Sequence, residues 1–191
     1  MQISSAAGVK CMEEGAESMD LDRVVRSRRM VRRYRKEAVP EHLVKKLLDN
    51  AHQAPSAGFL QPQEFIVVRD PEMKRILAAA ALHQNFVAEA PLVIVVCSDT
   101  RRQTPLYGRR GYEFYSITDG AFASMLILLT VVNEGLGACF VGAFDDVRVS
   151  RVLGLPEGVR PIGIISIGYT AEGARKLRRI PLERITHFDR W

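Results

Sequence analysis

The 191-residue sequence has few cysteines, few aromatic residues and no long apolar run. Its three cysteines, Cys11, Cys97 and Cys139, form no C-x-x-C pair, and an odd number argues against a disulfide framework. The four histidines are scattered, which disfavours a structural zinc site. The longest apolar-rich run, Ala121–Val132, is far shorter than the about 20 residues that span a bilayer. We therefore expect a cytoplasmic protein without a metal site or a membrane segment.

The composition, 47% hydrophobic and 26% charged, is that of an ordinary globular protein. Residues 1–19 are small, polar and acidic, and they lack the basic start and apolar stretch of a secretory signal. We expect a disordered tail over residues 1–19 and a single domain over residues 20–191, because the chain shows no internal repeat and no low-complexity linker.

Positive charge is concentrated in one segment. Residues 23–36 contain eight basic and no acidic residues, which exceeds the net charge of +5, so the rest of the chain is net acidic. Such a segment predicts an anionic partner: nucleic acid, an acidic membrane or the phosphate of a small ligand. A helix-turn-helix or an aromatic stacking platform would favour nucleic acid, and the sequence shows neither. We expect no nucleic-acid partner.

Apolar periodicity, prolines and glycines predict an alternation of helices and short strands. The predicted helices are Leu21–Arg29, one opened by Pro40, Pro71–Leu82, Thr118–Glu134 and one that begins at Asp145 or Asp146; the predicted strands are Phe65–Val68, Leu92–Cys97, Ala138–Val141 and Ile162–Gly168. Thr100–Tyr112 is rich in Arg, Gly and Pro and is typical of an exposed loop. The fold class is therefore α/β or α+β.

Two apolar features lack a covering surface in a domain of this size. The helix Thr118–Glu134 is apolar nearly all round, and the tail ends in Leu182, Ile185, Phe188 and Trp191. A second copy of the chain would cover both, so we expect a homodimer in which the C-terminal extension packs on the partner. One large single core is the alternative.

Four motifs carry residue types suited to ligand binding. They are R-R-M-V-R-R-Y from Arg28 to Tyr34, A-P-S-A-G from Ala54 to Gly58 followed by Gln61-Pro62, G-L-G-A from Gly135 followed by F-V-G-A-F-D from Phe140 to Asp145, and a basic cluster at Lys176, Arg178 and Arg179 before I-P-L-E. On a helix end, Arg28 and Arg32 would project to one side and grip one phosphate. The small residues of the second and third motifs let the backbone approach a flat ligand.

In this order and spacing, the four motifs resemble the FMN-dependent nitroreductase family, from about Leu21 to Trp191. The resemblance implies an α+β fold with a central mixed or antiparallel sheet flanked by helices, and an intertwined homodimer that holds FMN at the subunit interface. It also implies hydride uptake from NADH or NADPH and reduction of a small electron-poor acceptor, such as a nitroaromatic compound or a quinone, by a ping-pong mechanism.

The alternatives are a specialised enzyme of the same fold, of the reductive dehalogenase or cobamide-synthesis type, and a non-catalytic flavin- or nucleic-acid-binding protein. The family resemblance implies no catalytic side chain, because the chemistry belongs to the flavin.

The resemblance assigns cofactor-binding positions one by one. The phosphate and ribityl chain are assigned to Arg28 and Arg32, with Arg29 beside them and Met30 where many relatives carry serine. Pro55, Ser56 and Gly58 match the loop that packs on the partner's isoalloxazine, while Phe59 and Gln63 stand where Asn and Trp are usual. Gln84 is assigned to a flavin edge, and Val141 and Gly142 are assigned to a loop whose backbone N–H faces flavin N5. Arg178 and Arg179 are the late basic residues of the family pattern. Lys176 and Arg178 are also candidate cations near the flavin ring.

Overall fold

The computed structural model describes residues 19–173 and 178–191. The predicted tail, residues 1–19, lies outside the described residues except for Met19, whose backbone N–H donates to Asn133 Oδ1 at 3.1 Å. The helices are α1 (Leu21–Ser27), α2 (Glu41–His52), α3 (Pro71–Ala80), α4 (Phe86–Glu89), α5 (Thr104–Arg110), α6 (Ser116–Asn133) and α7 (Asp146–Leu153). The strands are β1 (Gln63–Val68), β2 (Leu92–Asp99), β3 (Gly137–Val141) and β4 (Val159–Gly168).

The four strands form one antiparallel sheet in the order β1-β2-β4-β3, with β1 and β3 at opposite edges. Because side chains alternate along a strand, the two faces bury different residues. One face of β2 places Ile94 and Val96 against α2 and α6, and the other places Val93 and Val95 against α3, α4 and α7. Helices on both faces of this sheet define an α+β domain and confirm the predicted fold class.

Helix starts follow the capping residues in the sequence. The carboxylates of Asp20, Asp70 and Asp145 accept a hydrogen bond from the backbone N–H three residues later, which satisfies a donor that the first turn leaves free. Pro71 occupies the first turn of α3, where a missing N–H is harmless. Gly154 ends α7 in the left-handed conformation at φ 64°. These local signals explain why the predicted helices form where they do.

Helix α6 lies across the sheet and is only half covered. Ala123, Ile127 and Val131 are fully buried against the sheet, whereas the opposite side of the helix leaves Phe122 and Met125 close to half exposed. By length and composition alone the helical stretch Thr104–Asn133 could cross a membrane, but half of its most apolar window is buried inside this domain. Within one chain, α6 is therefore a core helix with one apolar side uncovered.

Two predicted segments adopt a different structure. The sequence predicts a loop over residues 100–112, but these residues lie in a 3-10 turn (Thr100–Arg102), helix α5 and a π-helical turn (Gly111–Tyr115) that continues into α6. Helix α1 ends at Ser27, so Arg28 adopts an extended conformation with φ −61° and ψ 126°. The basic motif that follows is held by a neighbouring strand instead of by helical hydrogen bonds.

The C-terminal segment leaves the domain without covering itself. After a 3-10 turn at Leu182–Arg184, all residues from 178 to 191 are exposed, and Trp191 is fully exposed with its ring stacked on His187 at 4.2 Å between centroids. Ile185 and Phe188 are 58% and 84% exposed. The described part of the same chain therefore does not cover this apolar tail, for which the sequence analysis predicted a partner surface.

Candidate functional site

The basic motif runs as an extended segment beside β3. Val31 donates its N–H to the Ala138 carbonyl at 2.8 Å, and Met30 pairs with Ala138 in a parallel bridge. The prediction that Arg28 and Arg32 project together from a helix end is wrong, because four residues of extended chain span roughly 13 Å against about 6 Å on a helix. The Cα atoms of Arg28 and Arg32 therefore lie farther apart than they would on a helix.

The arginines of this motif carry unused donors. Arg28 and Arg29 are half-buried, and Arg28 Nη1 and Arg29 Nε lie buried with no hydrogen-bond partner among the described residues. Of the eight basic residues from 23 to 36, Arg35 lies 3.9 Å from Glu37 Oε1, and the other seven form no ion pair with the described part of the chain. Buried guanidinium donors call for an acceptor, and a phosphate group supplies one of matching charge and geometry.

The end of β3 and the turn before α4 meet at the same edge. Val141 is buried and ends β3, and Gly142 follows it at the surface. Gln84 donates from Nε2 to the Ala143 carbonyl at 3.3 Å, and the Met30 Sδ accepts from the Phe140 N–H at 3.4 Å. Met30 and Gln84 thus bond to Phe140 and Ala143, on either side of Gly142, although they are far apart in sequence.

Two further contacts complete this edge. The Arg32 guanidinium lies over the Phe86 ring at 5.6 Å, and the Arg32 backbone N–H donates to Glu172 Oε1 at 2.7 Å. Arg178 and Arg179 are exposed where the described chain resumes, and no contact in the described residues joins them to the other arginines. Lys176, the other predicted cation, lies outside the described residues.

The predicted flavin-packing loop, residues 54–58, lies before β1 and is tightly folded. Ser56 Oγ accepts the Gln61 N–H at 2.9 Å, and a 3-10 turn covers Ala57–Phe59. Gly58 and Phe59 have positive φ angles of 57° and 56°. Phe59 is 77% exposed, and its backbone adopts a strained conformation that favours glycine or asparagine, so an aromatic side chain lies at the surface of this loop.

Asp119, a residue that the sequence analysis missed, anchors this loop. Its Oδ2 accepts the Ala57 N–H at 3.0 Å and the Gln103 Nε2 at 2.6 Å, and its carboxylate is 2% exposed. Burial raises the pKa of the Asp119 carboxyl, and the hydrogen bonds from Ala57, Thr118 and Gln103 partly oppose that shift. A lone carboxylate on the apolar stripe that continues through Ala123 is the sequence signal that could have identified it.

No side-chain nucleophile stands out in the described residues. Burial raises the pKa of the Cys97 thiol to about 12, which keeps it protonated at neutral pH. Burial also raises the pKa of the Cys139 thiol. His52 is exposed on α2, and no group of three His, Cys, Asp or Glu side chains suited to a metal ion occurs in the described ranges.

The two groups of predicted ligand-binding residues lie at opposite edges of the sheet. Met30 pairs with β3 at one edge, and the loop of Ser56 and Gly58 leads into β1 at the other. Three strand spacings of about 4.8 Å separate the edges by roughly 14 Å. In the described part of one chain, no hydrogen bond joins the two groups. The two groups therefore lie apart within the described part of one chain.

Comparisons with known proteins assign this architecture. The model of the Nitroreductase family matches residues 25–87 and 73–169. The chain is 34% identical over 201 residues to the NADH dehydrogenase of Thermus thermophilus, covering 91% of this chain and 98% of that protein. It is 26% identical over 172 residues to the FMN reductase (NADPH) of Bacillus subtilis, covering 83% of this chain and 69% of that protein.

A solved structure agrees with the sequence comparisons. The fold is similar to that of a nitroreductase family protein from Clostridium difficile, with a TM-score of 0.80, 26% identity and coverage of 91% of this chain and 100% of that one. The chain belongs to the nitroreductase family. The predicted family and the predicted enzyme class, an oxidoreductase, are thereby confirmed.

Proposed function

We propose that this protein is an NAD(P)H-dependent FMN oxidoreductase that reduces nitroaromatic, quinone or related electron-poor acceptors. The observation that carries the proposal is the pair of buried, partnerless donors Arg28 Nη1 and Arg29 Nε beside the end of β3. The FMN reductase (NADPH) among its relatives supports the cofactor and the electron donor. The arginine donors and the relative thus both support the predicted cofactor, FMN with NAD(P)H.

The residues present fit FMN at the edge formed by β3. We assign the phosphate and ribityl chain to Arg28, Arg29 and Arg32, whose charge has no other partner in the described chain apart from the Arg32–Phe86 contact. We assign the ring edge to Gln84 and to the backbone of Val141 and Gly142, while Met30, which bonds the Phe140 N–H through its sulfur, contributes backbone contact. Arg178 and Arg179 follow as the late basic residues of the same site.

The second half of the site comes from the partner subunit in this proposal. Pro55, Ser56 and Gly58 lie at the opposite sheet edge and cannot reach the arginines of their own chain. The uncovered side of α6 and the exposed tail supply apolar surface for a homodimer, which would bring the loop of one subunit to the arginines of the other. The C-terminal extension, as predicted from its exposed apolar residues, would lie on the partner.

FMN, when bound, supplies the chemistry by taking hydride from NAD(P)H and passing electrons to the acceptor. The chain's own contribution is binding and orientation. The arginines would offset the charge of the phosphate, and backbone donors such as the Gly142 N–H would stabilise negative charge on the flavin ring. We propose that the protein covers one face of the flavin ring. Electron donor and acceptor would then occupy the other face in turn, which gives ping-pong kinetics.

A spectrum of the purified full-length protein tests this function. We expect a yellow protein whose visible absorption bleaches on anaerobic addition of NADH or NADPH and returns when a nitroarene or a quinone is added. Double-reciprocal plots of initial rate against nicotinamide concentration that stay parallel at several acceptor concentrations would support the ping-pong order. A yellow protein that neither nicotinamide bleaches would contradict the oxidoreductase and leave a non-catalytic flavin-binding protein.

A colourless protein that binds DNA in a salt-dependent manner would favour the nucleic-acid alternative. A flavoprotein that dehalogenates its substrate, or that consumes its own flavin as an enzyme of cobamide synthesis would, in preference to reducing nitroarenes and quinones would indicate the specialised enzyme of the same fold. The cytoplasmic location stays a prediction.

A further inference from the structure

One buried carboxylate makes a long-range hydrogen bond to the loop of residues 54–58. Asp119 lies in the first turn of α6, and its Oδ2 accepts the Ala57 N–H at 3.0 Å across 62 residues of sequence. The neighbouring hydrogen bond, from the Gln61 N–H to Ser56 Oγ, stays inside the loop region itself. Asp119 therefore supplies a long-range polar attachment at the point where the loop turns.

The carboxylate is itself held firmly. Gln103 is fully buried and donates from Nε2 to Asp119 Oδ2 at 2.6 Å. Gly111 lets the chain close around Gln103, since a Cβ there would lie 2.9 Å from the Gln103 carbonyl oxygen. Gly120 packs on Ile162, where a Cβ would lie 2.8 Å from the side chain. Close packing on both sides leaves the carboxylate little freedom to follow a moving loop.

The charge of Asp119 is costly for stability. Its hydrogen-bond donors are the Ala57 amide, the Gln103 carboxamide and the Thr118 hydroxyl, and none of them is cationic. A buried carboxylate without a counterion is less favourable than a neutral side chain of the same shape. A neutral asparagine would keep an acceptor oxygen at this position at a lower cost in unfolding free energy.

We propose that Asp119 is a positioning residue: by accepting the Ala57 N–H, it fixes the loop Pro55–Gly58 in the conformation that packs on FMN bound at the partner's arginines. This inference rests on the proposed function, because the loop's contact with the cofactor is part of that proposal. It adds a residue that contacts neither the cofactor nor the substrate and acts through the Ala57 backbone.

Two substitutions separate the acceptor from the charge. Asp119→Asn keeps an oxygen that can accept from Ala57 and Gln103, and its new amide group faces the Thr118 hydroxyl, which can accept. Asp119→Ala removes the acceptor altogether. Ser124→Ala is the matched control, because Ser124 is buried in the same helix and bonds the Gly120 carbonyl instead of the loop.

The test measures hydrogen exchange of the Ala57 amide and the dissociation constant of FMN, both on the full-length protein. In the wild-type apoprotein we expect the Ala57 amide to be protected. Asp119→Ala should accelerate its exchange and weaken FMN binding by about tenfold, the size of one hydrogen bond to a charged group. Asp119→Asn and Ser124→Ala should stay within about threefold of the wild type in both measurements.

Each result decides the proposal. An unprotected Ala57 amide in the wild type would overturn it without any variant, so a failure of Asp119→Ala to fold leaves the proposal testable. Equal loss of FMN affinity in Asp119→Asn and Asp119→Ala would assign the effect to the charge and contradict positioning. Unchanged FMN affinity in an Asp119→Ala protein with accelerated Ala57 exchange would also overturn it. A wild-type protein that binds no FMN would contradict the proposed function, a different outcome from all of these.

Discussion

The hydroxyl of Tyr107 lies against Gly58 so closely that a Cβ added to Gly58 would be 2.6 Å from Tyr107 Oη. Gly58 also has a φ angle of 57°, which side-chain-bearing residues rarely adopt. The Gly58→Ala variant should therefore lose about 1–2 kcal/mol of unfolding free energy. Because the change also displaces the proposed flavin-packing loop, FMN binding should weaken by about tenfold. Denaturant unfolding and FMN titration measure the two effects.

Gly154→Ala is the matched control for that prediction. Gly154 has a φ angle of 64° and open space around it, so the variant carries the backbone strain without the contact with Tyr107. It ends α7, outside the four ligand-binding motifs. We expect a similar loss of stability and unchanged FMN affinity. Equal weakening of FMN binding by both glycine variants would show that general destabilisation explains the result.

The partnerless arginine donors lead to a prediction about the phosphate. Arg28→Ala and Arg32→Ala should each weaken FMN binding by about 1.5–3 kcal/mol, the value of a charge-assisted hydrogen bond. Arg33→Ala should change little, because Arg33 is exposed and its backbone carbonyl, which accepts the Ala171 N–H at 2.9 Å, is kept. Fluorescence titration of the apoproteins measures the three affinities.

Riboflavin, which lacks the phosphate, is the control ligand for the arginine variants. It should bind the wild type more weakly than FMN and bind the variants no more weakly than the wild type. If Arg28→Ala and Arg32→Ala lose riboflavin and FMN to the same extent, the arginines do not hold the phosphate.

Burial of Asp119 predicts a pH-dependent effect of its replacement. The pKa of the folded protein's Asp119 carboxyl is raised above its unfolded value, so the stability linked to this group is fully present below the unfolded pKa of about 3.9 and is lost as the pH rises through the folded pKa. Asp119→Asn should therefore gain stability relative to the wild type as the pH rises from about 3 to 7. Thermal unfolding of both proteins across that range measures the difference. A difference that stays constant or reverses with pH would contradict the direction of the pKa shift.

We expect the exposed C-terminal tail to stabilise the homodimer. Deleting residues 185–191 removes Ile185, Phe188 and Trp191, whose burial on a partner would contribute several kcal/mol at about 25 cal/mol per Å². The truncated protein should dissociate at higher concentrations than the full-length protein and release FMN. Sedimentation velocity and the flavin content of the purified protein report on the two effects. A truncated protein that stays dimeric and keeps its flavin would show that the tail has no such role.

Local signals in the sequence predicted most of the secondary structure. Capping aspartates such as Asp70 and Asp145 and the apolar stripe of α2 depend on neighbours a few residues away, so they can be identified without the fold. The extended conformation of the Arg28–Tyr34 segment could not be predicted in this way, because it depends on pairing with Ala138 on β3, more than a hundred residues later. The loop predicted over residues 100–112 is wrong for a similar reason: Gly108 and Gly111 are typical of a loop, but Gly111 packs closely on Gln103.

The candidate site was predictable to a similar extent. Matching motifs identified Arg28, Ser56 and Gly142 as ligand-binding positions, and these assignments remain predictions. The family motifs gave no role to Asp119, because its partner Ala57 becomes a neighbour only when α6 crosses the sheet. The separation of the arginines and the loop onto opposite edges also depends on the strand order, which a pattern of residues along the chain does not contain.

The central claim, a flavin site built from the arginines of one subunit and the loop of the other, is tested most directly by a mixed dimer. One subunit carries Arg28→Ala with Arg32→Ala, the other carries Gly58→Val, and two different affinity tags isolate the mixed species. Each variant alone should bind little FMN, whereas the mixed dimer should regain about one FMN per dimer, because it contains one site with both halves intact. A mixed dimer that binds no more FMN than either variant alone, while the wild type binds about two per dimer, would contradict the account.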